Sequence, residues 1–543
     1  MNVRFLKKYA WTMFALMLPL GFVACSDSDE PLKPVTPPQQ EEPNEPEEEK
    51  VVAYQDEKAY VNFFAYNLMK DVYLWSQDIT AAFKSWTILG DPMENVKNAR
   101  YKENGKDVDK WTTLLASYEE SVGSTDGVAT GTYGLGIKLY YKAQNSNAVV
   151  GFITYTYPDS PAAKAGLKRG DVIMQVNGKE MNTDNYYQAL FASSSVEVGV
   201  GRVVNQQYTP VEKTATMTAV SMYEDPIILT KVFDCGGKKV GYLHYTSFTF
   251  ESSIGLHDVC RKFKAEGVSE LILDLRYNGG GYVFTEEALA SMLAPEAEVK
   301  AGSVFETEIW NDEYMAYYKQ NNVDLNTYFR TEYKQTHGGK MYSFNTSDAN
   351  IGITKIYALV TEDSASASEA ILVGLLPYMD IEIIGQQTHG KYCSGIMWEG
   401  KDWFQDVVDN YKKNNMDFAE KHPQFADWKK YIGAWGIYVM INRYGDKNGN
   451  NPCMPDGLTP DVEATDYFEE PYQLGDERES MLHVALQLAG KTDLEPRPES
   501  RALGMALPSD RMLPAKQTPL HGKRIRTDVP APRVVAMPFG QSR

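Results

Sequence analysis

Thr361–Lys391 reads TEDSASASEAILVGLLPYMDIEIIGQQTHGK. Alternating small residues, Ser364 to Ser368, lead into Glu369 and then an apolar run. A Ser with Glu three positions on, before apolar residues, marks a helix N-terminus. Ser366 and Glu369 have that spacing, and Ala370, Ile371, Leu372, Leu375 and Leu376 suit a short buried helix. Ile381–Gly385 reads as a strand, and Thr388–Lys391 as the loop after it. A helix of about twelve residues climbs roughly 18 Å, and a strand of five or six runs back about as far. Lys391 then returns close to Ser366. A hydroxyl at a helix N-terminus beside an amine suits nucleophilic catalysis by a Ser–Lys pair.

Such a pair needs an oxyanion hole, and Val240–Gly281 carries the residues for one. Gly241–Phe248 reads as a strand, and Ile254–Glu266 as an amphipathic helix with Gly267 as its C-cap. Leu271–Leu275 is the continuous apolar run of a buried parallel strand. It ends in Arg276-Tyr-Asn-Gly-Gly-Gly281, where glycines let backbone N–H groups approach a ligand. This strand–helix–strand and the one around Ser366 both read as crossover units of an α/β sheet. Their loops then share the C-terminal ends of parallel strands, where such sheets carry their sites.

Between residues 118 and 225 the pattern is short strands with Gly-rich turns. Tyr133-Gly-Leu-Gly-Ile137 leads into a strand, and Asp159–Gly178, containing SPAAKAGLKRGDVI, is a short helix, a turn and a strand. This region resembles a PDZ domain. The resemblance implies that a peptide adds as a strand beside Ile137–Leu139, its carboxylate meeting the amides of Leu135 and Gly136. The alternative is a PDZ domain that serves only as a structural lid.

The chain has 543 residues, too many for one domain. Its net charge of −19 argues against nucleic acid as a partner. The five cysteines form no metal-type cluster, so neither metal nor cofactor is called for. Cys235, Cys260, Cys393 and Cys453 are either disulfide-bonded or buried and free.

Residues 1–24, basic and then apolar, read as a signal sequence, and the small residues before Cys25 resemble a bacterial lipoprotein cleavage site. Phe22 stands where that motif usually has Leu. The alternative, a single transmembrane anchor, is disfavoured by the short apolar run. Residues 25–52 are an acidic, Pro-rich tether, and SDSDE directly after Cys25 looks like sorting signals of surface lipoproteins of the Bacteroidetes type. The expected location is the cell envelope, with a lipid anchor in the outer membrane. Residues 53–117 read as a small helical domain, with Tyr60, Phe63, Phe64, Leu68 and Met69 at helical spacing. Residues 226–490 form the core, with a helical insertion near 401–435, and residues 491–543 read as a disordered, mildly basic tail.

Taken together, DLRYNGGG, SASASE and a Gly-Lys at the spacing of Ser366 to Lys391 resemble the S41 peptidases, the carboxyl-terminal processing proteases. The resemblance spans residues 53–490. It implies an α/β fold of the crotonase/ClpP-like kind and a serine endopeptidase acting on protein or peptide substrates, near C-termini or in unstructured segments. It implies Ser366 as nucleophile, Lys391 as general base, and the backbone N–H groups of Gly280 and Ala367 as the oxyanion hole. Two positions depart from the family: Gly395 stands where many relatives have a Gln that orients the Lys, and Pro377 where others have Asp. The third member is therefore open, and a silent peptide-binding lipoprotein is the alternative function. For catalysis Lys391 must lose its proton near neutral pH, a fall from about 10.4 to about 7–8. Burial supplies this and a touching carboxylate opposes it, so Glu369 and Asp363 are expected to point away from the amine.

Overall fold

The computed structural model describes residues 57–79, 90–204, 207–496, 512–513 and 523–529. The expected signal sequence, Cys25 and the acidic tether lie outside the described residues. Helix α1 (Glu57–Val72) buries Tyr60, Phe63, Phe64, Leu68 and Met69. Strand β1 (Thr113–Leu115) follows it.

Next comes a sheet of β2 (Leu135–Tyr141), β3 (Val149–Thr156), β4 (Val172–Val176), β5 (Ser195–Val204) and β6 (Gln207–Thr218), in the order β6-β5-β4-β3-β2. Its alternating apolar residues, among them Leu139, Ile153, Ile173, Val196 and Val198, build a core of their own. The short helix Pro161–Lys164 is capped by Ser160, as the SPAAK run predicts.

The central sheet begins with β7 (Ile227–Cys235) antiparallel to β8 (Lys238–Tyr245). Helix α2 (Ser252–Glu266), closed by Gly267 at φ 77°, crosses over to β9 (Val268–Asp274), parallel to β8. The glycine loop supplies β10 (Gly280–Tyr282), followed by α3 (Val283–Leu293) and β11 (Val304–Trp310). Then β12 (Lys355–Val360), α4 (Ala367–Leu375) and β13 (Asp380–Gly385) form the second crossover, β12 lying parallel to both β9 and β13. Leu271, Leu273, Ile356 and Ala358 face one core and Ile272, Tyr357 and Leu359 another. A strand covered on both faces must be apolar at every position, and each such side chain contributes about 1.5–3 kcal/mol. The loops after β9 and β12, which carry Gly280 and Ser366, leave the same end of this sheet.

A second sheet runs through β14 (Cys393–Glu399). Helix α5 (Gly400–Lys413) opens the helical segment expected near 401–435, and β15 (Gly436–Gly445) returns antiparallel to β14. β15 also pairs with β1 and β11. Helix α1 shares one apolar core with these strands and with α5, where Phe63 and Phe404 lie 5.9 Å apart between ring centres. The N-terminal helical region is thus packed into the catalytic body and has no separate core. Strand β16 (Val462–Glu463) closes the edge of the central sheet, and α6 (Ser480–Leu488) covers its outer face.

The expectation of a disordered tail over 491–543 is corrected at two places. β17 (Met512–Leu513) pairs antiparallel with the edge strand β2, and β18 (Lys523–Arg526) inserts between β10 and β14, parallel to both. A Pro- and Arg-rich stretch with little periodicity gives no sign of strands. Both strands are held by backbone pairing, and β18 also by acidic partners from distant elements. Cys235, Cys260, Cys393 and Cys453 are all buried and free.

Candidate active site

Ser366 sits between β12 and α4 at φ 66°, ψ −112°, a conformation that costs a non-glycine residue about 1–3 kcal/mol. The three serines of SASAS have different fates. Ser364 Oγ donates to the Leu275 carbonyl (2.8 Å) and Ser368 Oγ to the Asn278 carbonyl (2.8 Å), so both latch this loop to the DLRYN loop. Ser366 Oγ is buried with no hydrogen-bond partner among the described residues. Only the middle hydroxyl is left for chemistry.

Lys391 is fully buried. Its amine donates to the Tyr438 hydroxyl (2.8 Å) and lies 5.2 Å from the Trp111 ring centre. No hydrogen bond joins it to Ser366 Oγ in this state. Burial pulls the amine down to about 7; Cys393 and Asp109 oppose the shift, and Lys523 adds to it. Asp363 pairs with Lys138 of β2 (2.7 Å), away from the Lys391 amine. Glu369 accepts hydrogen bonds from the amides of Ser366 (2.7 Å), Gly390 (2.7 Å) and Lys391 (3.0 Å) and from the Thr388 hydroxyl (2.5 Å). Its carboxylate therefore holds the backbone beneath both Ser366 and Lys391, and its effect on the amine is a minor one through charge.

The two loops are tied a second time by Tyr444, whose hydroxyl donates to the Lys391 carbonyl (2.9 Å). Neither Tyr438, Tyr444 nor Trp111 was legible beforehand, since each comes from an element remote in sequence. The clue lay in Gly395. A Cβ there would fall 2.6 Å from the Tyr438 ring and 2.5 Å from Met440 Cε. The tyrosine fills the space above this position, and its hydroxyl makes the contact to Lys391.

Of the two amides expected to line an oxyanion hole, that of Gly280 donates to Asn278 Oδ1 (2.9 Å) in this state. An Asn side chain readily takes the amide two residues on. The Ala367 amide lies at the first position of α4, where helices leave N–H groups without an intrahelical acceptor. Gly280, at φ 106°, nevertheless abuts the nucleophile, because a Cβ on it would lie 2.9 Å from Ser366 Cβ.

Leu135, Gly136 and Ile137 lie half-buried on β2, whose continuation at Leu139 and Tyr140 pairs with Leu513 and Met512. Beneath both units runs a buried ionic network. Arg169, from the LKRGD turn, donates to the Tyr277 hydroxyl (2.7 Å) and Asp466 (2.6 Å), and Arg276 to Asp274 (2.8 Å) and Glu479 (3.0 Å).

Comparisons with known proteins agree with this geometry. The sequence profile of peptidase family S41 matches residues 239–464, and that of a PDZ domain residues 152–202. A "Probable CtpA-like serine protease" of Staphylococcus aureus is 25% identical over 276 residues, 50% of this chain and 47% of its own length. The "C-terminal processing peptidase, chloroplastic" of Tetradesmus obliquus is 24% identical over 280 residues, 49% and 52% of the two lengths. The chain thus spans about half the length of the curated relatives it matches. A crystal structure assigned to the S41 proteases of Bacteroides fragilis superposes with a TM-score of 0.57 at 23% identity, covering 78% of this chain and 96% of the other. The chain thus carries a peptidase family S41 domain over residues 239–464, with a PDZ domain over residues 152–202 ahead of it and an α/β core of the same fold as that S41 protease structure.

Proposed function

We propose that this chain is a serine endopeptidase that cleaves proteins near their C-termini or in unstructured segments, with a Ser366–Lys391 dyad and substrate presented by the PDZ domain. The observation that carries the reading is a buried amine drawn down to about 7, held by the Tyr438 hydroxyl, on a loop clamped to the loop of a serine hydroxyl that has no hydrogen-bond partner among the described residues. In the reaction Lys391, neutral, takes the Ser366 proton as Oγ attacks the scissile carbonyl. The C–N bond breaks, and the leaving amine takes the proton from Lys391. Water then attacks the ester, giving a proton to Lys391; the acyl C–O bond breaks, the acid product leaves, and Lys391 returns the proton to Ser366 Oγ. The oxyanion is stabilised by the Ala367 amide, and by that of Gly280 once its peptide turns from Asn278.

A fluorophosphonate reagent tests this. It labels Ser366 in the wild type and fails with Ser366→Ala; equal labelling of Lys391→Ala contradicts the dyad. A silent peptide-binding protein is the second reading, favoured by the missing Ser366–Lys391 hydrogen bond in this state; no labelling at any pH would establish it. We also assign the protein to the cell envelope, lipid-anchored to the outer membrane through Cys25. The support is the sequence around Cys25. Incorporation of labelled palmitate that is lost in Cys25→Ala tests it.

A further inference from the structure

The tail strand β18 lies across both catalytic loops as a bound peptide would. Its register pairs Lys523 with Gly280, Arg524 with Gly281 and Ile525 with Gly395. A Cβ on Gly280 would meet the Lys523 carbonyl oxygen at 2.5 Å and Ser366 Cβ at 2.9 Å, so that carbonyl and the nucleophile crowd one point. The next carbonyl, of Arg524, accepts from the Tyr438 hydroxyl (3.1 Å), the same hydroxyl that holds the Lys391 amine.

The side chains are read as specifically as the backbone. The fully buried Arg524 guanidinium donates to Glu286 (2.7 and 2.8 Å), to Ser394 Oγ (2.8 Å) and to Glu306, and stacks 4.4 Å from the Tyr444 ring centre. Arg526, two residues on and therefore on the same face, pairs with Glu308. Glu286 and Glu306 are both fully buried, and Glu306 Oε1 has no hydrogen-bond partner. Two buried carboxylates are costly without a cation between them, so the pocket is built for one. The strand itself contributes one apolar side chain, Ile525, to the core. Its hold is strand addition plus Arg–carboxylate forks, the means by which sheets bind peptides. The same tail closes the PDZ edge strand with Met512 and Leu513.

We propose that the groove between β10 and β14 is a subsite for an extended basic segment with Arg at two alternate positions, and that residues 523–526 fill it in cis as a pseudo-substrate. Basic tails of this pattern are then the substrate class taken in trans. The proposal rests on the peptidase reading, and binding tests it separately from catalysis. The full chain carrying Ser366→Ala is compared with the same chain also carrying Arg524→Ala and Arg526→Ala. The probe is a fluorescent peptide of residues 521–529, HGKRIRTDV, with HGKAIATDV as control. Loss of the competing strand should tighten binding of the first peptide by roughly tenfold or more, with no gain for the control. Equal affinities in both chains, or for both peptides, overturn the subsite.

Should the double variant not fold, hydrogen exchange on the wild type decides. A displaceable strand exchanges at residues 523–526 roughly tenfold or more faster than β15 and is perturbed by added HGKRIRTDV. Exchange at the β15 rate, unmoved by peptide, makes it a structural staple and overturns the proposal. Failure of fluorophosphonate labelling would instead remove the peptidase reading and leave these binding results standing.

Discussion

At the scale of the residue, Lys391 is asked to be a base while fully buried. In the folded chain its amine gives up its proton near 7, and in the unfolded chain near 10.4. Between those values the unfolded chain holds the extra proton. This group therefore adds stability as pH rises through that window and costs the fold most below it. Two outcomes follow from one substitution. Lys391→Met removes activity, yet the protein becomes more stable by on the order of 1–3 kcal/mol at pH 7, read by denaturant unfolding. Tyr438→Phe deletes the acceptor of the amine (2.8 Å) while keeping the ring that fills the space above Gly395. It should lower kcat roughly tenfold or more, leave KM nearly unchanged and move the acidic limb of the pH profile to lower pH. An unmoved profile would reduce Tyr438 to packing.

At the scale of the element, the site is two crossover loops held in register by one carboxylate. Glu369 receives three amides and a hydroxyl from the segments after β12 and β13. Glu369→Gln turns one acceptor oxygen into a donor facing N–H groups. It should cost about 2–3 kcal/mol of stability, lower kcat and move the pH midpoint lower, because the Glu369 charge otherwise raises the Lys391 amine. The crossovers were legible in the sequence because their signals are local: apolar runs, a Ser–Glu cap and glycines at strand ends. The return of Lys391 to the Ser366 backbone, where Glu369 takes both amides, was legible because helix and strand lengths bring the chain back. Tyr438 and Trp111 were not, since each reaches Lys391 only through the second sheet. β18 was illegible for a different reason. KRIR reads as a solvated basic run unless Glu286, Glu306 and Glu308, from α3 and β11, are known to surround it.

At the scale of the whole molecule, PDZ and catalytic units meet in buried ion pairs. Arg169 and Arg276 share Asp466 and Glu479, all close to fully buried. Removing one partner leaves buried charge uncompensated, so Arg169→Ala should cost about 3–5 kcal/mol in a denaturant melt. Burial alone would raise Asp466, but the two guanidiniums outweigh it and hold the carboxyl near about 2. Its stabilisation is complete above the ordinary carboxylate value and is lost as pH falls through that value toward 2. The wild type should thus lose stability below about pH 4 more steeply than Asp466→Asn. The network also joins the PDZ turn to Tyr277, in the loop before Gly280, while Lys138 of β2 holds Asp363 in the loop before Ser366.

The most direct measurement is the rate of Ser366 acylation by a fluorophosphonate across pH 5–10, in the wild type and in Lys391→Ala. With Lys391 as the base, the wild-type rate climbs through a single ionisation near 7 and levels off above it, and Lys391→Ala loses that rise together with nearly all labelling. A midpoint that stays near 7 after the lysine is gone, or a wild-type rate flat across the range, would contradict a neutral buried amine as the base of this site.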